Sequence, residues 1–177
     1  KDKFFMYKRF KFLYYLLNNI KEELVLFTDV FDVVFQNNPF CKLNNKNIFL
    51  SGEGLKINQE PWNLNSINIL FPNISKNFLN TEIICAGIIA GNKEKLKSLF
   101  LQIHNMSEKI SDKFPMKDQA VLMYLNYFTK LNTNVFSLKN LWTINLTISK
   151  NPIYKKIHKI NINKSGFVTN NEGQIYD

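Results

Sequence analysis

The sequence predicts an α/β protein, with a mixed sheet flanked by helices. Three apolar runs, Leu24-Val25-Leu26-Phe27, Ile48-Phe49-Leu50 and residues 83–90, have strand length and end abruptly at polar or glycine-containing segments. Stretches of helical spacing separate and follow them, and strands alternating with helices define this class.

The first element is a helix within residues 4–20, because Phe10, Leu13, Leu17 and Ile20 recur at helical spacing with Lys8, Arg9 and Lys11 between them. The run 24–27 ends at Thr28-Asp29 and reads as a buried parallel strand whose C-terminal end delivers polar side chains. Asn37-Asn38-Pro39 punctuates the following loop. Ile48-Phe49-Leu50 is the second strand, ending in Ser51-Gly52-Glu53-Gly54. Residues 56–80, rich in Asn and containing Pro61 and Pro72, read as a long irregular binding segment. Residues 83–90 form the third strand, closed by Gly91-Asn92.

The clearest helix follows, with Leu96, Leu99, Phe100 and Ile103 on one face and Lys93, Lys95 and Lys97 pointing out. Residues 117–128 give another helix, with Val121, Leu122, Tyr124, Leu125 and Phe128 inward. Residues 135–138 form a short strand. The tail turns at Asn170-Asn171-Glu172-Gly173, the pattern of a terminal hairpin. No repeat or low-complexity linker marks a boundary, so residues 1–177 read as one domain.

Composition narrows the function classes. The chain has 177 residues, 45% of them apolar and 21% charged, which excludes global disorder and leaves enough chain for a core. Its apolar runs are too short to cross a bilayer as helices. Cys41 and Cys85 lack partners at metal-ligand spacing, which excludes a zinc finger or a disulfide scaffold.

The formal charge of +9 comes from 23 Lys and Arg against 14 Asp and Glu, and Arg9 is the sole arginine. Nucleic-acid readers lean on arginine forks, so no nucleic-acid partner is expected, and the abundance of Lys, Asn and Ile fits an AT-rich genome. The aromatic and basic residues 1–12 are compatible with peripheral membrane association, although helix burial explains them better. The chain starts at Lys1 without a signal-peptide pattern, and reads as a cytoplasmic piece cut from a longer protein.

Three stretches carry candidate chemistry. Asp29 and Asp32 stand three apart directly after an apolar strand, where ligands of open α/β sheets bind. Paired carboxylate oxygens there suit Mg²⁺ or Mn²⁺, and the bland alternative is a solvated Asp29 beside a helix-capping Asp32. In Cys85-Ala86-Gly87, small residues interrupt a bulky strand, which marks close approach of a ligand or of a packed helix. Asp118-Gln119 opens an amphipathic helix, as a cap or as a ligand for sugar hydroxyls.

In this order the stretches resemble the metal-dependent nucleotide-sugar glycosyltransferases of the GT-A fold. Their nearest likeness is to the glycosyltransferase domain of the procollagen lysyl hydroxylase type and its bacterial and viral relatives. An Asp-x-x-Asp variant of that family's Asp-x-Asp motif is matched by Asp29 and Asp32. Its strand of aromatic, Ser, Ala or Gly, Glu is matched by Phe49-Leu50-Ser51-Gly52-Glu53, and its Trp in a Pro-containing loop by Pro61-Trp62. Its Asn-Ala-Gly type segment is matched by Leu79-Asn80-Thr81 and Cys85-Ala86-Gly87, and its Asp-Gln dyad by Asp118-Gln119. The resemblance covers about residues 5–140.

It implies a hexosyltransferase-like enzyme that uses a nucleoside-diphosphate sugar, in particular a UDP-sugar, with Mn²⁺ or Mg²⁺ as cofactor. Asp29 and Asp32 would hold the metal, and Asp118 and Gln119 would face the donor sugar or acceptor as catalytic residues. Glu53, Trp62, Cys85, Ala86 and Gly87 would bind substrate. The acceptor is a glycan, a lipid-linked sugar or a protein.

The resemblance also implies a nucleotide-gripping β-α-β segment before Lys1 and a metal-binding His beyond Asp177. Cys85 departs from the Asn usual at its place. His104 and His158 are expected at the surface, outside the site. Two rival readings are a basic α/β module that binds nucleic acid or anionic glycan, and a phosphate-transferring metal hydrolase. The second lacks the further acids such sites need near Asp29 and Asp32.

Overall fold

The computed structural model describes residues 6–29, 33–110, 117–129, 131–146 and 151–177. It is a mixed α/β fold built on a four-stranded sheet. The strands are β1 (Leu24–Thr28), β2 (Ile48–Lys56), β3 (Glu82–Asn92) and β4 (Thr133–Phe136), in the order β1-β3-β2-β4. β3 runs antiparallel to both β1 and β2, and β4 runs parallel to β2. The helices are α1 (Lys8–Leu16), α2 (Pro61–Leu70), α3 (Lys76–Leu79), α4 (Lys93–Lys109), α5 (Asp118–Phe128) and α6 (Pro152–Ile157). A small ribbon of β5 (Asn161–Ile162) and β6 (Val168–Thr169) lies in the tail.

β1 corrects one expectation. It is an antiparallel edge strand, and all five of its residues are half-buried. Its apolar run still has two apolar contacts: Val25 and Phe27 pack on the main core, and Leu26 packs on a second cluster across the sheet. A continuous apolar run signals apolar contact on both faces, and an edge position leaves that contact incomplete.

The main core fills the helical side of the sheet. Phe10 and Leu17 from the first helical segment meet Leu50, Ile89, Leu96, Phe100, Val121 and Leu122 there. α4 forms where its periodicity placed it, with Leu96, Leu99, Phe100 and Ile103 all buried. Asn92 caps it by accepting from the Glu94 and Lys95 backbone N–H groups, which satisfies two donors that have no partner within the helix. The smaller cluster on the opposite face centres on Phe49, Ala90 and Trp142.

Residues 56–80 are not an irregular loop. Glu60 accepts from the backbone N–H groups of Trp62 and Asn63, and Pro61 takes the first turn of α2, where a missing N–H costs nothing. Ser75 caps α3 in the same way. The many Asn side chains hid a helix that is held by burial of Ile67 and Leu70 rather than by propensity. β2 runs on through Ser51 to Lys56, with register irregularities after Leu50 and after Gly52. Gly54 takes φ +75° at the second of these, where a side chain would be strained and would collide with Leu138.

Three further expectations change. Phe128 is exposed, its ring in tilted and edge-on contact with Phe78, Tyr124 and Tyr127 at the molecular surface. The fourth strand begins at Thr133, and residues 138–140 form a 3₁₀ turn. In the tail, the hairpin turns at 163–166, and the expected turn at 170–173 is a second one that leads to an isolated bridge between Thr169 and Ile175.

Candidate active site

The three stretches singled out in the sequence meet at one place. The pairing of β1 with β3 sets Thr28 opposite Ile88, so Asp29 leaves the sheet beside Gly87, and its N–H donates to the Gly87 carbonyl at 2.8 Å. A Cβ on Gly87 would collide with the Asp29 carboxylate, so glycine here lets that carboxylate lie on the strand. Asp118, the first residue of α5, is buried nearby.

Arg9 joins these parts. From α1 its guanidinium donates to Asp29 Oδ1 at 2.6 Å, to Asp118 Oδ2 at 2.9 Å and to the Ala86 carbonyl at 3.3 Å. The charged end of Arg9 packs by the rings of Phe10 and Phe27. Burial raises the Asp118 carboxyl above the usual carboxylate range, and the Arg9 charge pulls it back. Helical spacing in the sequence showed Arg9 only as a polar residue between apolar ones. The signal available was that it is the sole arginine in a lysine-rich chain.

Gln119 is engaged through both ends of its amide. Its Oε1 accepts from the Ala86 N–H at 3.4 Å, and its Nε2 donates to Asn63 Oδ1 at 3.0 Å. Asn63 in turn donates through Nδ2 to Glu60, the cap of α2. A hydrogen-bonded chain thus ties α2, α5 and the middle of β3 together, and Gln119 is its link.

Glu53 and Cys85 form the deeper part of the site. Glu53 is buried on β2 and accepts from Asn145 Nδ2 at 3.2 Å. Burial pushes its carboxyl up to about 7, against the hydrogen bonds from Asn145, Cys85 and Gln119. Burial, reinforced by Glu53, pushes the Cys85 thiol up to about 12. Cys85 is therefore a neutral thiol rather than a nucleophile, and its sulfur accepts from the Gly87 N–H at 3.4 Å.

A cleft of about 480 Å³ opens beside this cluster; Asp29, Cys85 and Gly87 line it, whereas Glu53, Ala86, Asp118 and Gln119 are not among its lining residues. Its floor includes Asp29, Ser51, Cys85, Gly87 and Trp142, and the hydroxyls of Ser51 and Thr143 bond to each other. The tail closes one side. Gln36 donates to the Val168 and Tyr176 carbonyls and accepts from the Val168 N–H, and Lys42 pairs with Asp177 at 2.6 Å.

Other predicted residues lie elsewhere. Asp32 is outside the described residues. Trp62, on α2, is 40% exposed and is not part of the cleft lining. Neither histidine is the surface residue expected. His104 is buried in the α4 face against Tyr7, and its Nδ1 has no hydrogen-bond partner among the described residues. His158 Nε2 lies 3.0 Å from the Gly54 carbonyl.

Among the described residues, no group of three or more His, Cys, Asp or Glu side chains is arranged around a metal position. Asp29 does fit as one hard-oxygen ligand: it is part-exposed, and its Oδ2 has no hydrogen-bond partner among the described residues. No described helix is long and apolar enough to cross a membrane. No protein family, curated protein or solved structure matches the chain.

Proposed function

We propose that this chain is a GT-A-type glycosyltransferase domain that uses a nucleoside-diphosphate sugar, in particular a UDP-sugar, with Mn²⁺ or Mg²⁺. One observation carries the reading. Arg9 binds Asp29 and Asp118 in a single fork, so two motifs far apart in sequence share one site, with the small residues Ala86 and Gly87 between them.

Asp29, with Asp32, would hold the metal, which when bound supplies positive charge to offset the charge that builds on a departing diphosphate. The chain's own part is preorganisation. Arg9 holds Asp29 and Asp118 at fixed positions and prevents the two acids from repelling one another. Asp118, buried outside the cleft lining, would act through its pair with Arg9, and glycine at 87 leaves room for the Asp29 carboxylate that would face the ligand. Gln119 acts as a positioning residue, because its amide holds Ala86 against α2. Glu53 lies beneath the floor as a carboxylic acid that burial keeps protonated below about pH 7.

Calorimetric titration of the full-length protein with UDP, with and without Mn²⁺, tests the reading. Metal-dependent UDP binding is expected, and the Asp29→Ala/Asp32→Ala double variant should abolish it. Binding that survives in the double variant, or no binding by the folded wild type, overturns it.

A further inference from the structure

The cleft beside Asp29 has a polar floor and an apolar mouth. At the mouth Val34 is 83% exposed, Phe35 53% and Leu146 51%, and all three line the opening. Large apolar side chains held that far into water cost free energy unless a ligand covers them. Below them lie Ser51, Thr143 and Asn145, groups of the kind that bind sugar hydroxyls.

The charge of the lining decides which ligand belongs here. Among the described residues, the charged lining groups are Asp29 and Asp177, and both are already paired, with Arg9 and Lys42. No lysine or arginine lines the cleft among the described residues. Among the described residues, an anionic group therefore meets no cationic side chain along this wall, and a diphosphate at its Asp29 end would depend on the metal. A neutral ligand meets hydroxyls and an amide first and apolar side chains beyond them. The volume of about 480 Å³ accommodates a sugar together with the start of a chain attached to it.

We infer that the cleft takes the acceptor, and that the acceptor is a neutral glycolipid whose sugar rests on the polar floor while its alkyl chain crosses Val34, Phe35 and Leu146. This rests on the glycosyltransferase reading, and selects among acceptors that the sequence left open. A free oligosaccharide would leave the mouth uncovered. An acidic glycan would find no cationic side chain on the described wall to pair with.

The test compares octyl and methyl β-glycosides of glucose and galactose, below the octyl micelle concentration, by calorimetric titration of the full chain. Each methylene buried at the mouth should raise affinity about fourfold, so an octyl glycoside should bind at least about tenfold tighter than its methyl counterpart. Val34→Asn/Phe35→Ser, at exposed positions that do not hold the core, should remove that preference. Leu146→Asn serves as an independent second variant and should weaken it.

Mn²⁺-dependent UDP binding is measured on the same samples. The variants should leave it unchanged, so loss of the alkyl preference is read separately from loss of the donor site. Equal binding of octyl and methyl glycosides, no binding of either octyl glycoside, or an octyl preference that survives in the variants overturns the inference. Absence of UDP binding overturns the glycosyltransferase reading, and the alkyl preference then stands or falls by itself.

Discussion

Glu53 carries the clearest pH signature in the molecule. Its carboxyl is buried on β2, and its pKa rises from 4.5 to about 7. An acid whose folded pKa lies above its unfolded value binds a proton more tightly in the folded state. Its contribution is therefore fully present below about pH 4.5 and is lost as pH rises through about 7, an amount on the order of 3 kcal/mol. Glu53→Gln keeps the shape and an acceptor for Asn145 while removing the proton. Urea denaturation at pH 5 and pH 8 should show the wild type losing stability relative to the variant as pH rises, and parallel pH profiles would refute this. At the same scale, Arg9 and His104 show what single-residue reading misses. Both sit between apolar positions on helices and look solvent-facing in sequence. One is drawn inward by two carboxylates from distant segments and the other by Tyr7, and neither partner is visible until the chain has folded.

Between elements, the closest approach that matters is β1 against β3 at Asp29 and Gly87. The atoms a new methyl group would meet belong to the Asp29 carboxylate, which Arg9 holds, so the fold accommodates it only by disturbing that pair. Gly87→Ala, at a buried strand position, must shift the Asp29 carboxylate against its pair with Arg9, so it should cost about 1–3 kcal/mol in urea denaturation while weakening Mn²⁺-dependent UDP binding by tenfold or more. A large loss of stability with intact binding would show that the glycine serves packing alone. Legibility at this scale follows the strength of the periodic signal. α4 was readable because four apolar residues share a face and Asn92 precedes them. α2 was not, because Asn63, Asn65 and Asn68 interrupt its apolar pattern and its cap is a glutamate, an unusual residue for that role. The parallel assignment of β1 failed because strand direction is set by which neighbour pairs with it, and that neighbour, β3, comes more than fifty residues later.

For the molecule as a whole, the tail decides whether the cleft has a wall. Residues 161–177 return across the loop that follows the candidate metal strand, and Gln36 makes three side-chain hydrogen bonds to them. Gln36→Ala should cost about 1–2 kcal/mol and should speed hydrogen exchange at the Val168 amide, which loses its acceptor. Unchanged exchange there would mean that the wall is held by the Lys42–Asp177 pair and the ribbon instead. The candidate site was legible as motifs in order, since Asp29, Cys85-Ala86-Gly87 and Asp118 do converge. The cleft was not, because its mouth and wall come from residues 33–36, 142–146 and 166–177, which carry no motif and meet only through the fold.

The two tryptophans differ as sharply as two such residues can. Trp142 is sealed beneath the cleft, its indole N–H donating to the Pro39 carbonyl at 3.0 Å and its ring against Phe136, while Trp62 stands part-exposed on α2. The first emits from an apolar, rigid setting and the second from a wet one, so the chain carries a matched pair of optical reporters. Light from the sealed ring registers what enters the cleft, and light from the outer ring registers whether the helix that bears it is still in place.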